Sequence, residues 1–137
     1  YVVAVHERLN QLAREHQAAG AVLIGINSND EIEYPDDSYP NMVKTAREWG
    51  LVFPYLHDPS QAVAKSFDAA CTPDPFLYEN RGRGEFVLRY HGRIDDQWKD
   101  ASKVQVRDLS LALADVLAGR PVSIDPKPSM GCNIKWK

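Results

Sequence analysis

Val2, Val5, Leu9 and Leu12 recur at helical spacing, with Glu7, Arg8, Gln11 and Arg14 between them. That spacing predicts a helix to about Gln17, stopping before Gly20. The helix shows no N-cap, as if the chain started inside an element. Ala21-Val22-Leu23-Ile24-Gly25-Ile26 is a continuous apolar run, which predicts a strand buried on both faces of a parallel sheet. Polar Asn27–Asp30 ends it, and an acidic loop runs to Tyr39. Pro40 then opens a helix with Met42, Val43, Ala46 and Trp49 as its apolar stripe and Gly50 as its stop. Val52–Leu56 reads as a short extended segment. Asp58-Pro59-Ser60-Gln61 reads as a helix start, with Asp58 as N-cap, Gln61 reaching back, and Ala62, Val63 and Phe67 facing inward.

Phe76–Tyr78 and Phe86–Tyr90 flank the glycine-rich Asn80–Gly84, which predicts a β-hairpin. Val106, Leu109, Leu113, Val116 and Leu117 mark a last amphipathic helix, closed by Gly119 and Pro121. The expected organisation is one domain over residues 1–122 and a surface tail over 123–137. The order is helix, strand, helix, extended segment, helix, hairpin, helix, which is an α/β arrangement.

Composition narrows the function classes. The 137 residues are 44% hydrophobic, enough for a core, and suit a single domain. A net charge of -3 argues against nucleic acid as the main partner. No apolar run approaches the length of a membrane span. Two cysteines, Cys71 and Cys132, are too few for a disulfide scaffold and fit a reducing compartment or redox chemistry. A cytoplasmic location is expected, or a periplasmic one if a leader has been removed. There is no Cys-x-x-Cys.

The chemistry concentrates at Cys71-Thr72-Pro73-Asp74-Pro75. An X-Pro bond goes cis at low cost. A cis proline entering a strand leaves the preceding backbone groups open to pair with another extended chain. The plain alternative is a trans proline opening an edge strand, with Cys71 as a small buried hydrophobe. His91, Asp95, Asp96 and Asp100 match no ligand spacing and read as loop residues with Asp turn chemistry. Trp49, Trp98 and Trp136 read as packing residues.

Several segments together resemble one branch of the thioredoxin-like superfamily, the alkyl hydroperoxide reductase/thiol-specific antioxidant group. They are Gly25–Asp30, Phe53–Asp58, Thr72-Pro73-Asp74, Tyr90–Asp96 and the tail Gly131–Lys137. The resemblance implies a three-layer α/β sandwich around a mixed sheet, with a C-terminal hairpin and helix. It implies that Thr72 and Pro73 form the cis-proline, substrate-facing site. In that family a Cys-Pro pair precedes a Tyr-Val step at the start of the first helix, and Tyr1-Val2 is similar to that step. The reactive cysteine, and the strand before it, are therefore expected upstream of Tyr1. Cys71 could attack or resolve a mixed disulfide, or pack inward as an inert thiol. Cys132 has the same two readings in an accessible tail. The two are expected not to bridge, one lying at the proline turn and the other in a distant tail.

Two functions follow. One is a thiol-disulfide oxidoreductase or peroxiredoxin-like antioxidant acting on a protein disulfide or a peroxide, with a thiol electron donor. It implies no metal or organic cofactor, because the thiol does the chemistry. The other is a non-catalytic thioredoxin-like binding or assembly module.

Overall fold

The computed structural model describes residues 1–137. They fall into two compact units. One combines Tyr1–Val5 with Cys71–Cys132, and the other combines His6–Ala70 with Asn133–Lys137. Helix α1, Val2–Gln17, starts in the first and continues into the second. No helix is long and apolar enough to cross a membrane.

In the second unit, strand β1 (Gly25–Asn27) pairs in parallel with β2 (Tyr55–His57), Ile26 opposite Leu56. The expected doubly buried strand is shorter and more open than the apolar run implied. Val22, Ile24 and Ile26 are 77%, 51% and 40% exposed. The reason lies in the pairing: only three residues find a ladder partner, and β1 pairs with β2 alone. Helix α2 (Tyr39–Glu48) starts one residue before the expected Pro40, which lies in its first turn, and Ser38 is the N-cap. Met42 is buried, whereas Val43 is exposed. On α1, buried Asn10 donates to the Trp49 carbonyl and accepts from the Val52 amide at 3.1 Å each. It thereby satisfies backbone groups left over where α2 ends.

Helix α3 spans Ala62–Phe67, starting later than a cap at Asp58 and first turn at Pro59 would give. Asp58 still serves it, accepting from the Val63 and Ala64 amides at 3.3 and 3.1 Å and from Ser28 Oγ at 2.6 Å. Gln61 does not reach back to the cap. It sits at φ 63° and donates to the Ser28 and Lys135 carbonyls. Ala64 takes the buried position, and Val63 and Phe67 stay partly exposed. Ile134 is buried alongside this network, so the end of the chain does not merely run over the surface. Leu12, Met42, Ala64 and Ile134 form this unit's apolar core.

The first unit carries β3 (Cys71–Thr72), the hairpin β4–β5 (Phe76–Gly82 and Glu85–His91) and helix α4 (Asp108–Leu117). The hairpin is antiparallel, with Tyr78 opposite Leu88, and turns at Arg83-Gly84. Their φ values of 56° and 75° give the primed turn that matches strand twist. β3 pairs with β6 (Cys132–Asn133), so the strands form three two-stranded ladders. Val5, Tyr90, Leu109, Ala112 and Leu113 are the buried apolar residues.

Candidate functional site

The site is built around Pro73, and every residue of it belongs to the first unit. The Thr72-Pro73 peptide bond is cis. Pro73 lines a small cavity with Val5 from α1, Arg93, Ile94, Asp95 and Trp98 from the segment after β5, and Met130. Tyr1 packs its ring on Trp98, with centroids 4.1 Å apart. The first turn of α1 and the proline thus meet at one place. That matters chemically, because a helix N-terminus carries a partial positive charge that favours an anion such as a thiolate.

Arg93 is held from three sides. Its amide donates to the Lys127 carbonyl at 3.0 Å, and its carbonyl accepts from Tyr90 Oη at 2.6 Å. Its Nε donates to Asp108 Oδ2 at 3.0 Å. The Asp108 side chain is 1% exposed, and its Oδ1 has no hydrogen-bond partner. Arg93 therefore supplies the countercharge for a buried carboxylate while facing the cavity. Burial, and then the Asp108 charge, push the Tyr90 phenol up to about 12. It remains a neutral donor throughout the working pH range.

Behind the proline, Asp74 Oδ1 is hydrogen-bonded to His91 Nε2 at 2.6 Å and accepts from Ser129 Oγ at 2.7 Å. The His91 ring stacks on Phe76 at 4.0 Å. The acidic loop residues show the turn chemistry their sequence implies. Asp95 Oδ1 accepts from the Gln97 amide, Asp96 from Gln105 and Asp100 from Ser102.

Of the residues the sequence points to, Pro73 lines the cavity, and Thr72 precedes it across the cis bond. Both cysteines are free thiols, and neither lines the cavity. Cys71 is half-buried, its Sγ 3.7 Å from the Pro73 carbonyl. Burial, and then the Asp74 carboxylate, push its thiol up, opposite to what a nucleophile needs. Cys132 is exposed on β6. Because β6 pairs with β3, it is not in a distant tail as expected. Sequence alone marks Trp98 as a packing residue and gives Arg93 and Met130 no role of their own. The only signal for Arg93 was its place in the Tyr90–Asp96 segment; Met130 carried none.

The model of the AhpC/TSA family matches residues 4–97. The chain belongs to the AhpC/TSA family. Two solved structures share its fold over its full length. A hypothetical protein from Sinorhizobium meliloti 1021 is 40% identical, with a TM-score of 0.90 over 73% of that chain. An uncharacterized conserved protein from Geobacillus kaustophilus is 42% identical, with a TM-score of 0.90 over 71% of that chain. No curated protein matches. The fold is thus the thioredoxin-like α/β fold of AhpC/TSA proteins. Family membership supports redox chemistry of the antioxidant type in general terms, with thiols or peroxides as the reacting groups.

Proposed function

We propose that this AhpC/TSA protein is a thiol-dependent oxidoreductase that reduces a peroxide or a disulfide at the Pro73 cavity. The observation that carries the reading is the convergence of Val5 on the first turn of α1, Pro73, Arg93 and Trp98 on one cavity. The nucleophile we assign to a cysteine preceding Tyr1, where the α1 dipole would stabilise its thiolate. Thr72 and Pro73 are the substrate-facing edge. With a disulfide, the thiolate attacks one sulfur, the substrate S–S bond breaks, and the other half leaves as a thiolate. With a peroxide, sulfur attacks one oxygen, the O–O bond breaks, and sulfenic acid and alcohol or water result. A donor thiol condenses with the sulfenic acid to a mixed disulfide and releases water. In either branch a further thiol attacks the mixed disulfide, frees the protein thiolate and leaves as the new disulfide. The chemistry requires no metal or organic cofactor. The cytoplasm, which keeps thiols reduced, is the compartment we propose.

One observation favours the non-catalytic binding module instead: neither Cys71 nor Cys132 lines the cavity. Peroxide and disulfide turnover separates the two readings. We expect turnover by the protein carrying the residues before Tyr1 and little by residues 1–137 alone. No turnover by the longer form would support the module.

A further inference from the structure

The backbone edge at Thr72-Pro73 is already occupied by the chain itself. Pro126 and Pro128 flank Lys127 and favour an extended backbone that cannot coil into a helix. From there the chain is fixed at successive points. The Lys127 carbonyl accepts from the Arg93 amide at 3.0 Å. Ser129 Oγ donates to Asp74 Oδ1 at 2.7 Å, one residue past the proline. Met130 joins Pro73 in lining the cavity. Gly131 lies so close to Thr72 that an added Cβ would sit 2.2 Å from the Thr72 carbonyl oxygen. Cys132 then begins β6, the ladder partner of β3. Only glycine permits that approach at position 131, since real Cβ atoms essentially never come so near a backbone oxygen.

We infer that the segment Lys127–Cys132 is a strap that sets substrate class by filling the edge an extended polypeptide would need. This rests on the reading of Thr72-Pro73 as the substrate-facing edge. Small peroxides and low-molecular-weight disulfides reach the cavity with the strap in place. A polypeptide disulfide must first displace it. Ser129 and Gly131 act on specificity through the strap's position and touch no reacting atom.

The experiment uses the whole protein, including the residues before Tyr1, with Ser129→Ala and Gly131→Ala. Three substrates are compared: hydrogen peroxide, hydroxyethyl disulfide and the disulfides of insulin. The wild type is expected to reduce insulin at least about tenfold more slowly than hydroxyethyl disulfide, a barrier difference near 1.4 kcal/mol. Both variants should narrow that gap about tenfold while leaving the small-substrate rates unchanged. Hydrogen exchange runs alongside at the Arg93 amide, which donates to the Lys127 carbonyl of the strap, with slow exchange in the wild type and acceleration in both variants. Equal wild-type rates on insulin and hydroxyethyl disulfide would overturn the strap. So would a gap that neither variant narrows, or fast wild-type exchange at the Arg93 amide that the strap accepts from. Absence of turnover on all three substrates sinks the thiol reading itself. The strap's occupancy is then decided by exchange alone, slow exchange upholding it and fast exchange overturning it. Gly131→Ala unfolds the protein if the strap cannot lift, and Ser129→Ala, which only deletes a hydroxyl, then decides.

Discussion

The Cys71 thiol is pushed up by its burial and by Asp74, so little of it is thiolate at neutral pH. Cys132, by contrast, is exposed. Iodoacetamide at neutral pH is expected to label Cys132 before Cys71, as followed by peptide mass spectrometry. The pH profile of Cys71 labelling should lie to the alkaline side of a free cysteine's, about 8.5. Cys71 labelling first would overturn its assignment as a non-nucleophile. Arg93 gives the second prediction at this scale. Removing it leaves the Asp108 carboxylate buried and without its partner. Arg93→Ala is expected to cost about 3 kcal/mol in chemical denaturation. A loss below about 1 kcal/mol, the scale of an exposed ion pair, would show that Asp108 finds another partner or solvent. Sequence made Thr72 and Pro73 legible because a Thr-Pro step before an apolar run is a local signal. Arg93, Trp98 and Met130 were not legible as a set. Their meeting depends on contacts between segments far apart in the chain.

Among the elements, the α3 start shows how local chemistry can be right while boundaries shift. Asp58 does cap the helix, but from a loop that sets Gln61 at φ 63° before the first helical residue. Burial by itself would raise the Asp58 pKa. Bonds from Ser28 and from the Ala64 and Val63 amides outweigh it, and the net shift is downward. A depressed folded value means the stability it contributes is present above the unfolded value, about 3.9. That contribution is lost as pH falls through the lower folded value. Asp58→Ala is expected to cost about 1–2 kcal/mol at neutral pH. The gap to the wild type should close as the pH drops below about 3.9. Thermal melts of both forms from neutral to acid pH measure this, and a pH-independent gap would contradict it. The α1 end was readable from periodicity and Gly20, and the α2 limits from periodicity together with Pro40 and Gly50. β1 was overread, since an apolar run records affinity for a core and not which side neighbours will cover. Gln61 was misread because its partners, Ser28 and Lys135, are distant in sequence.

For the whole molecule, the element order was legible and pointed to the thioredoxin-like fold. Several short segments, none specific alone, agreed on the AhpC/TSA family. The role of the C-terminal stretch was not legible: Pro- and Lys-rich composition looks like a surface tail. What anchors it are single long-range contacts, such as Ser129 to Asp74 and Gly131 against Thr72. The proposed function puts thiol chemistry at the Pro73 cavity, with neither Cys71 nor Cys132 as the nucleophile. Its most direct test is peroxide and hydroxyethyl disulfide turnover by the whole protein carrying Cys71→Ser and Cys132→Ser together. Turnover is expected within about threefold of the wild type, under 1 kcal/mol in barrier. A loss of about a hundredfold or more would contradict it and place the reacting sulfur in one of those two residues.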